Sequence, residues 1–291
     1  SDLATVRDAA AALVEHADVD GVLFTGSWPV GRRIMERNLD RPGRMVALEM
    51  GGSNPAIVMD DADLKQAVIE CVRCAFITTG QRCTCTRRVV VHRAVAERFI
   101  TAFVECARTL TVGAGDAEPA PFMGPLVSRE AREAALAFQA ECAARGERVL
   151  LESRAPAGDG WFVTPGVVQA KRFERATDRE VFGPVVRIAV AEDLQDAIVQ
   201  ANATDFGLAA SIFTRSEANV AAAMAGEFLA RLTERRALEQ PEQVRSSENS
   251  AECSDDHECT ECLNWQTIGR VISRKDGWEL APEPCKTWQT K

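Results

Sequence analysis

The chain has 291 residues, of which 46% are apolar and 26% are charged. A chain of this length and composition forms one large domain or two ordinary ones, and it buries a core without disulfide bonds. The formal charge of −9 argues against a nucleic-acid partner, because phosphate binding relies on clustered Lys and Arg side chains. No apolar run approaches the roughly 20 residues that cross a bilayer, so we expect no membrane partner.

The chain contains ten cysteines, and no segment resembles a signal peptide with a charged and then an apolar region. Thiols of proteins without such a segment stay reduced in the cytosol. We therefore expect a cytoplasmic protein with free cysteines.

Predicted strands and helices alternate along the first 230 residues. The predicted strands lie over 19–27, 44–52, 54–60, 87–92, 148–153, 185–190 and 207–214. The predicted helices cover 2–15, 94–110, 129–145, 192–202 and 216–229, with one more that begins near Pro29 and another that is capped by Asp60 or Asp61 and ends near Gly80. Strands that alternate with helices of ten or more residues form βαβ units. The predicted fold class is therefore α/β, with a largely parallel sheet and flanking helices.

Composition changes near Leu232. Residues 233–291 are polar, show no sustained period of 2 or 3.6, and hold four of the ten cysteines and three of the five tryptophans. A segment of this kind buries too little apolar surface to offset its conformational entropy. We interpret 232–291 as a separate, poorly ordered tail.

The stretch "FTGSWPVG" (residues 24–31) follows a predicted strand and opens a predicted helix. A glycine at such a turn lets the backbone approach a ligand, and a helix N-terminus attracts phosphate. The spacing of Gly26 and Gly31 is not the usual dinucleotide fingerprint, so an ordinary strand-to-helix turn stays open.

The stretch "LEMGGSNP" (residues 48–55) places Glu49 at the end of a strand that the pattern predicts to be buried. Burial raises the pKa of a carboxyl group, which is what a general base working near neutral pH requires. A glutamate that points into water from the strand end is the alternative.

The stretch "TTGQRCTCTRR" (residues 78–88) places Cys83 directly after a predicted helix and the turn Gly80-Gln81. A thiol at such a turn is exposed, and the adjacent Arg82 favours the thiolate. A thiolate beside a carboxylate base and a bound dinucleotide indicates one reaction. The sulfur adds to an aldehyde, hydride leaves to nicotinamide, and the carboxylate activates the water that cleaves the thioester.

Four motifs in order, "FTGS", "LEMGGSNP", "GQRC" and "EVFGPV", resemble the aldehyde dehydrogenase superfamily. Glu49 and Cys83 stand 34 positions apart, which matches the family's separation of base and nucleophile. The resemblance implies that 1–51 is the C-terminal part of an NAD-binding domain and that 52–231 is the catalytic domain. The implied catalytic residues are Cys83 and Glu49, and the implied cofactor-binding residues are Gly26, Ser27, Gly31, Glu180 and Phe182.

Three longer stretches, "GQRCTCTRR", "APFMGPLVS" and "ANATDFGLAAS", resemble the succinylglutamate semialdehyde dehydrogenases within that superfamily. This resemblance implies NAD as the cofactor, a place in arginine catabolism, and a small-molecule aldehyde substrate that carries carboxylates. Arg82, Arg87 and Arg88 are the candidate partners of such a substrate.

Complete members of the superfamily start well upstream of this sequence, and they end in a segment that assembles oligomers. We therefore expect this chain to be a fragment that lacks the first half of the cofactor domain and the family's C-terminal end. Homo-oligomers are then expected of the full-length relatives only. A catalytically inactive remnant of such an enzyme is the main alternative.

The cysteines also raise two alternatives, a zinc-binding module and a thiol-redox protein. We assign no metal site on either ground. Cys71, Cys74, Cys83 and Cys85 offer four thiolates, and the tail offers a second set of candidate zinc ligands: Cys253, His257, Cys259, Cys262 and Cys285. The first set includes two cysteines inside a predicted helix, where a thiol usually acts as a small hydrophobic side chain. A redox Cys71-x-x-Cys74 pair belongs at a helix N-terminus, and this pair lies well inside the helix.

Overall fold

The computed structural model describes residues 3–226, so the tail predicted over 232–291 lies outside the described residues. Within the described residues the helices are α1 (Leu3–Glu15), α2 (Trp28–Glu36), α3 (Leu64–Phe76), α4 (Ala96–Arg108), α5 (Arg129–Ala144), α6 (Leu194–Ala201) and α7 (Glu217–Met224). The strands are β1 (Gly21–Thr25), β2 (Met45–Glu49), β3 (Asn54–Val58), β4 (Thr86–His92), β5 (Arg148–Leu151), β6 (Gly166–Gln169), β7 (Val185–Ala191) and β8 (Ser211–Phe213).

The strands form two separate sheets. β1 and β2 pair in parallel as a two-stranded sheet, and the other six strands pair in the order β5-β6-β7-β4-β3-β8. Every pairing in the larger sheet is parallel except that of β5 with β6. The predicted fold class, α/β with a largely parallel sheet and flanking helices, is confirmed.

The larger sheet is buried on both faces, and β4 shows why. Val89 and Val91 point into one core, which they share with side chains of α3 and α4 such as Phe99. Val90 points to the opposite face and packs with Ile57 and with residues of α6. Alternate residues of a strand face opposite sides of a sheet, so a continuous apolar run suits a parallel strand with helices on both faces.

Helix α3 begins two or three residues later than the acidic run predicts. Asp63, and not Asp60 or Asp61, is the N-cap residue, and its carboxylate accepts a hydrogen bond of 3.1 Å from the backbone N–H of Gln66. Asp61 instead accepts from the Thr214 hydroxyl at 2.7 Å. Several neighbouring aspartates offer the same local cap chemistry, and a partner about 150 residues away decides which of them is used.

The end of the same helix also differs from the prediction. α3 stops at Phe76 and a 3₁₀ turn, Ile77–Gly80, follows it. Strand β6 was not predicted, because "GVVQ" has only two apolar residues in a short segment that follows Pro165. No helix within residues 3–226 has the length and apolar character needed to cross a membrane.

Candidate active site

Several of the predicted site residues lie at or next to the ends of parallel strands. The segments that carry Gly52, Cys83 and Gly183 directly precede β3, β4 and β7, which are parallel neighbours in the larger sheet. The amino ends of parallel neighbours lie along one edge of a sheet. Gly26 and Glu49 lie at the carboxyl ends of β1 and β2, and the amide of Gly26 donates a 2.9 Å hydrogen bond to the carbonyl of Glu49.

The turn before Cys83 has a left-handed backbone. Thr78, Thr79 and Gly80 have φ angles of 55°, 56° and 70°. β-branched residues rarely adopt such angles, and each one costs about 1–3 kcal/mol. Side chains hold the turn in place: the Thr79 hydroxyl donates to the carbonyl of Gly124 at 2.9 Å. Strain that the surroundings maintain is typical of a functional turn.

The backbone around Cys83 is fixed by Asn54. Its side-chain nitrogen donates to the carbonyls of Cys83 and Cys85, at 2.7 and 2.9 Å. Its side-chain oxygen accepts from the backbone N–H of Ala209 at 3.0 Å. One amide side chain at the start of β3 therefore binds both the Cys83 segment, which leads into β4, and the segment that leads into β8.

The two cysteines of the turn differ in accessibility. Cys83 is half-buried, whereas Cys85 is buried with 2% of its surface exposed. Burial raises the pKa of the Cys85 thiol above its usual range. The charge of Arg87 and a hydrogen bond with the backbone of Arg82 partly oppose that rise. Cys85 is therefore kept as a protonated core side chain, and Cys83 is the more accessible thiol of the turn.

Glu49 lies at the end of β2 with its side chain exposed. The prediction of a buried strand is therefore wrong, and of the two possibilities for Glu49 the structure shows the one in which the side chain points into water. The reason is that β2 belongs to a sheet of only two strands, where alternate side chains of the strand remain exposed. Three residues after Glu49 the chain nevertheless reaches the Cys83 segment, since a Cβ on Gly52 would lie 3.1 Å from the Cys83 carbonyl oxygen.

Glu180 is half-buried against the Gly51-Gly52 turn. Its carboxylate accepts a 3.1 Å hydrogen bond from the backbone N–H of Gly52. A Cβ on Gly51 would lie 1.8 Å from the carboxylate, so only glycine leaves room for it. Burial raises the pKa of Glu180, while the Gly52 amide and Arg87 oppose the rise. Gly51 thus leaves room for the carboxylate of Glu180, and Gly52, 128 positions before Glu180, donates a hydrogen bond to it.

The predicted phosphate-binding turn has an exposed end and a packed end. Ser27 immediately precedes α2, it is exposed, and its hydroxyl makes no capping hydrogen bond to the helix. Gly31 is buried against Met50. A Cβ at this position would lie 2.4 Å from the Met50 sulfur, so a larger residue would not fit. Gly26 and Ser27 therefore remain open to a ligand, whereas Gly31 lets α2 approach the segment after β2.

The three arginines near Cys83 have different environments. Arg82 is exposed, and its Nε donates to the Thr78 hydroxyl at 3.1 Å. Arg87 and Arg88 are 4% and 1% exposed, and both donate to backbone carbonyls. Of the three, only Arg82 has an exposed guanidinium.

Sequence reasoning missed a buried polar network next to this turn. Arg88 donates to the carbonyl of Ser53 and lies 3.6 Å from the carboxylate of Asp178. Asp178 accepts hydrogen bonds from the hydroxyls of Ser53, at 2.7 Å, and Thr204. The signal was an arginine beside a run of valines in "RRVVVH", because a buried guanidinium needs a carboxylate or several carbonyls.

The cysteines of α3 show no metal-site geometry. Cys71 is buried and Cys74 is exposed, and burial raises the pKa of the Cys71 thiol well above its usual range. Within 3–226 no cluster of three or more Cys, His, Asp or Glu side chains is arranged to hold a metal ion. The second set of candidate zinc ligands, Cys253 to Cys285, lies outside the described residues.

Curated proteins with similar sequences are named N-succinylglutamate 5-semialdehyde dehydrogenase. The one from Hahella chejuensis (strain KCTC 2396) is 40% identical over 211 residues, which are 72% of this chain and 43% of that protein. The one from Ectopseudomonas mendocina (strain ymp) is 39% identical over 213 residues, 73% of this chain and 44% of that protein. The chain thus spans less than half the length of the curated relatives it matches.

Solved structures with the same fold are also aldehyde dehydrogenases. Betaine aldehyde dehydrogenase from Staphylococcus aureus, in complex with NAD⁺, superposes with a TM-score of 0.69 at 29% identity, over 75% of this chain and 44% of that one. Lactaldehyde dehydrogenase from Escherichia coli gives 0.68 at 34% identity, over 71% and 43%. The model of the aldehyde dehydrogenase family matches residues 3–228, more than half of the sequence. The chain therefore belongs to the aldehyde dehydrogenase family.

Proposed function

We propose that this chain carries the nucleophile and base of an NAD-dependent aldehyde dehydrogenase, with Cys83 and Glu49 in those roles. The observation that carries the proposal is the convergence of three segments, Gly51-Gly52, Gly80–Cys83 and Glu180–Gly183, on one edge of the sheet, with Cys83 as the accessible thiol.

The residues present fit a dinucleotide. The Glu180 carboxylate accepts one hydrogen bond within the described residues, so it keeps acceptor capacity for a ribose hydroxyl. The free hydroxyl of Ser27 stands at the N-terminus of α2, where a phosphate is stabilised. Phe182, two residues after Glu180, is 45% exposed and offers part of its ring to a ligand. NAD, when bound, supplies the hydride acceptor of the reaction.

The chain's own residues perform the remaining steps. The Cys83 sulfur attacks as the thiolate and bonds to the aldehyde carbon, so the negative charge passes from the sulfur to the carbonyl oxygen of a thiohemiacetal. After that carbon has lost its hydride, it is the acyl carbon of a thioester on Cys83. Glu49 accepts a proton from water, the water oxygen bonds to the acyl carbon, and the Cys83 sulfur leaves as the carboxylate product forms.

A carboxylate-bearing substrate is supported by Arg82. This guanidinium is exposed next to the nucleophile, and its one described hydrogen bond leaves most of its five donors available. Planar guanidinium groups bind carboxylates in a bidentate manner. Together with the names of the curated relatives, this favours oxidation of N-succinylglutamate 5-semialdehyde to N-succinylglutamate, a step of arginine catabolism.

The proposal is tested by following NADH absorbance with that semialdehyde and, in parallel, with an uncharged aldehyde of similar length. Cys83→Ala should abolish turnover, whereas the matched variant Cys85→Ala should retain it. Arg82→Gln should raise KM for the carboxylate-bearing aldehyde and leave the uncharged one unaffected. Equal turnover by Cys83→Ala and the wild-type chain would contradict the proposal.

A catalytically inactive remnant is the second candidate, and the exposure of the first sheet favours it. Leu23 and Met45, on the two strands that lead to Ser27 and Glu49, are 77% and 60% exposed. A cofactor surface built on such a sheet has little packing behind it. Calorimetric titration with NAD separates the candidates, because a remnant gives no saturable heat.

A further inference from the structure

Arg87 joins two distant segments of the proposed site. It is the second residue of β4, and its side chain is buried. Nη2 donates to the carbonyls of Gly80 and Arg82, at 2.6 and 3.0 Å, and both belong to the turn before Cys83. Nη1 donates to the carbonyl of Gly183 at 3.1 Å, almost 100 residues further along the chain.

The two segments also contact each other directly. Gly80 has a φ of +70°, and a Cβ there would lie 2.3 Å from the carbonyl oxygen of Gly183. The ring of Phe182 lies beneath the guanidinium of Arg87, with 5.6 Å between the guanidinium carbon and the ring centroid. Glu180, two residues earlier, is bound to the Gly52 amide. Arg87 therefore contacts the turn that presents the thiol and the segment that carries Glu180 and Phe182.

We propose that Arg87 is a positioning residue that fixes the Cys83 turn against the Glu180–Gly183 segment and so orients the Cys83 sulfur for attack on a carbonyl carbon. The inference rests on the proposed role of Cys83 as nucleophile. A planar guanidinium donates in two directions within one plane and stacks on an aromatic ring. A lysine at the same position keeps the charge but loses both properties.

The test measures two reactions of Cys83 in the full chain without NAD. Acylation by p-nitrophenyl acetate requires an oriented sulfur and is read from p-nitrophenol release. Alkylation by iodoacetamide requires access and ionisation, and is read at Cys83 by peptide mass spectrometry. In Arg87→Lys, acylation should fall about ten- to a hundredfold, because small displacements of reacting atoms have effects of that size. Alkylation should fall by less than about threefold.

Chemical rescue gives an independent readout of orientation. In Arg87→Ala, added guanidinium ion should restore a large part of the acylation rate, and methylammonium should not, because only the planar ion reproduces the hydrogen bonds to Gly80, Arg82 and Gly183. A purely structural effect would lower both reactions together and would not respond to the planar ion. Failure of guanidinium to restore acylation counts against the inference.

Arg187→Lys is the matched control. Arg187 is also 4% exposed and also stacks on a phenylalanine, at 5.3 Å from Phe173, but its side chain binds Glu147. The rate of Cys83 acylation in Arg187→Lys should stay within about twofold of wild type. If Arg87→Lys does not fold, the variant Phe182→Leu is measured in its place, because Phe182 is the more exposed member of the Arg87–Phe182 pair. An acylation loss of about threefold without NAD is then expected, because a cation–π contact with a partly exposed ring contributes little energy.

The outcomes separate this inference from the proposed function. Acylation that is unchanged in Arg87→Lys, or lost equally in Arg187→Lys, overturns the positioning role and leaves Cys83 as the nucleophile. Acylation that persists in Cys83→Ala overturns the proposed function, and the positioning role with it.

Discussion

The small sheet of β1 and β2 and the six-stranded sheet both contain strands rich in apolar residues, but the strands of the two sheets differ in burial. Every residue of β3 is buried, whereas the residues of β2 alternate between exposed and half-buried. Each central strand of the larger sheet has two neighbours and helices against its faces, whereas β2 has one neighbour among residues 3–226. Burial of a strand is thus decided by the layers around it, and the candidate site combines residues from both settings.

The largest effect is expected in the buried network of the six-stranded sheet. Asp178→Ala would leave Arg88 without its carboxylate at a side chain that is 1% exposed, and should lower the free energy of unfolding by about 3–5 kcal/mol. Asp205→Ala removes an exposed partner of Arg175 and should cost less than about 1 kcal/mol. Urea denaturation of both variants measures the difference, and equal losses would show that the network does not stabilise this sheet.

A second pair compares the cores of the two sheets directly. Ile57 on β3 is 1% exposed and Leu23 on β1 is 77% exposed. Ile57→Ala should destabilise the protein by about 2–5 kcal/mol through lost burial and a cavity, and Leu23→Ala should change stability by less than about 0.5 kcal/mol. A large loss in Leu23→Ala would mean that β1 is covered in solution, and the contrast between the sheets would disappear.

The junction of the two sheets is tested at Gly51. Gly51→Ala would push the Glu180 carboxylate away from the Gly52 amide, and should weaken NAD binding by about tenfold, as expected for the loss of one hydrogen bond to a charged group. Gly43→Ala is the control, because no atom lies within 4 Å of the Cβ it would add. Calorimetric titration gives both affinities. Similar binding by both variants would exclude Glu180 as a cofactor contact.

The smallest effect is the pH dependence that Glu180 contributes. Burial raises its pKa in the folded chain above the unfolded value of about 4.3, so the folded state binds a proton more readily than the unfolded state. The stability due to Glu180 is therefore present at low pH and is lost as pH rises through the folded pKa. The difference in unfolding free energy between wild type and Glu180→Gln, measured across this range, should become less favourable to wild type as pH rises. A difference that grows in the opposite direction would show a depressed pKa.

Features that depend on near neighbours in the chain were predictable. The alternation of strands and helices gave the α/β class, since each element buries its own periodic face. The local sequence did not indicate that Arg87 and Arg88 are buried whereas Arg82 is exposed. All three stand within one short stretch, and their partners, Gly183, Ser53 and Gln200, come from other parts of the chain.

The sequence by itself determined the family, the order of the motifs and the identity of the thiol that follows the Gly80-Gln81 turn. The tertiary structure decided that Asp63 caps α3, that Glu49 is exposed, and that the Gly51-Gly52 turn receives the carboxylate of Glu180. The physical reason is that caps, periodic faces and turns are encoded within a few residues. Burial and many hydrogen-bond partners are instead set by segments that are distant in the chain and meet only when the sheets have formed.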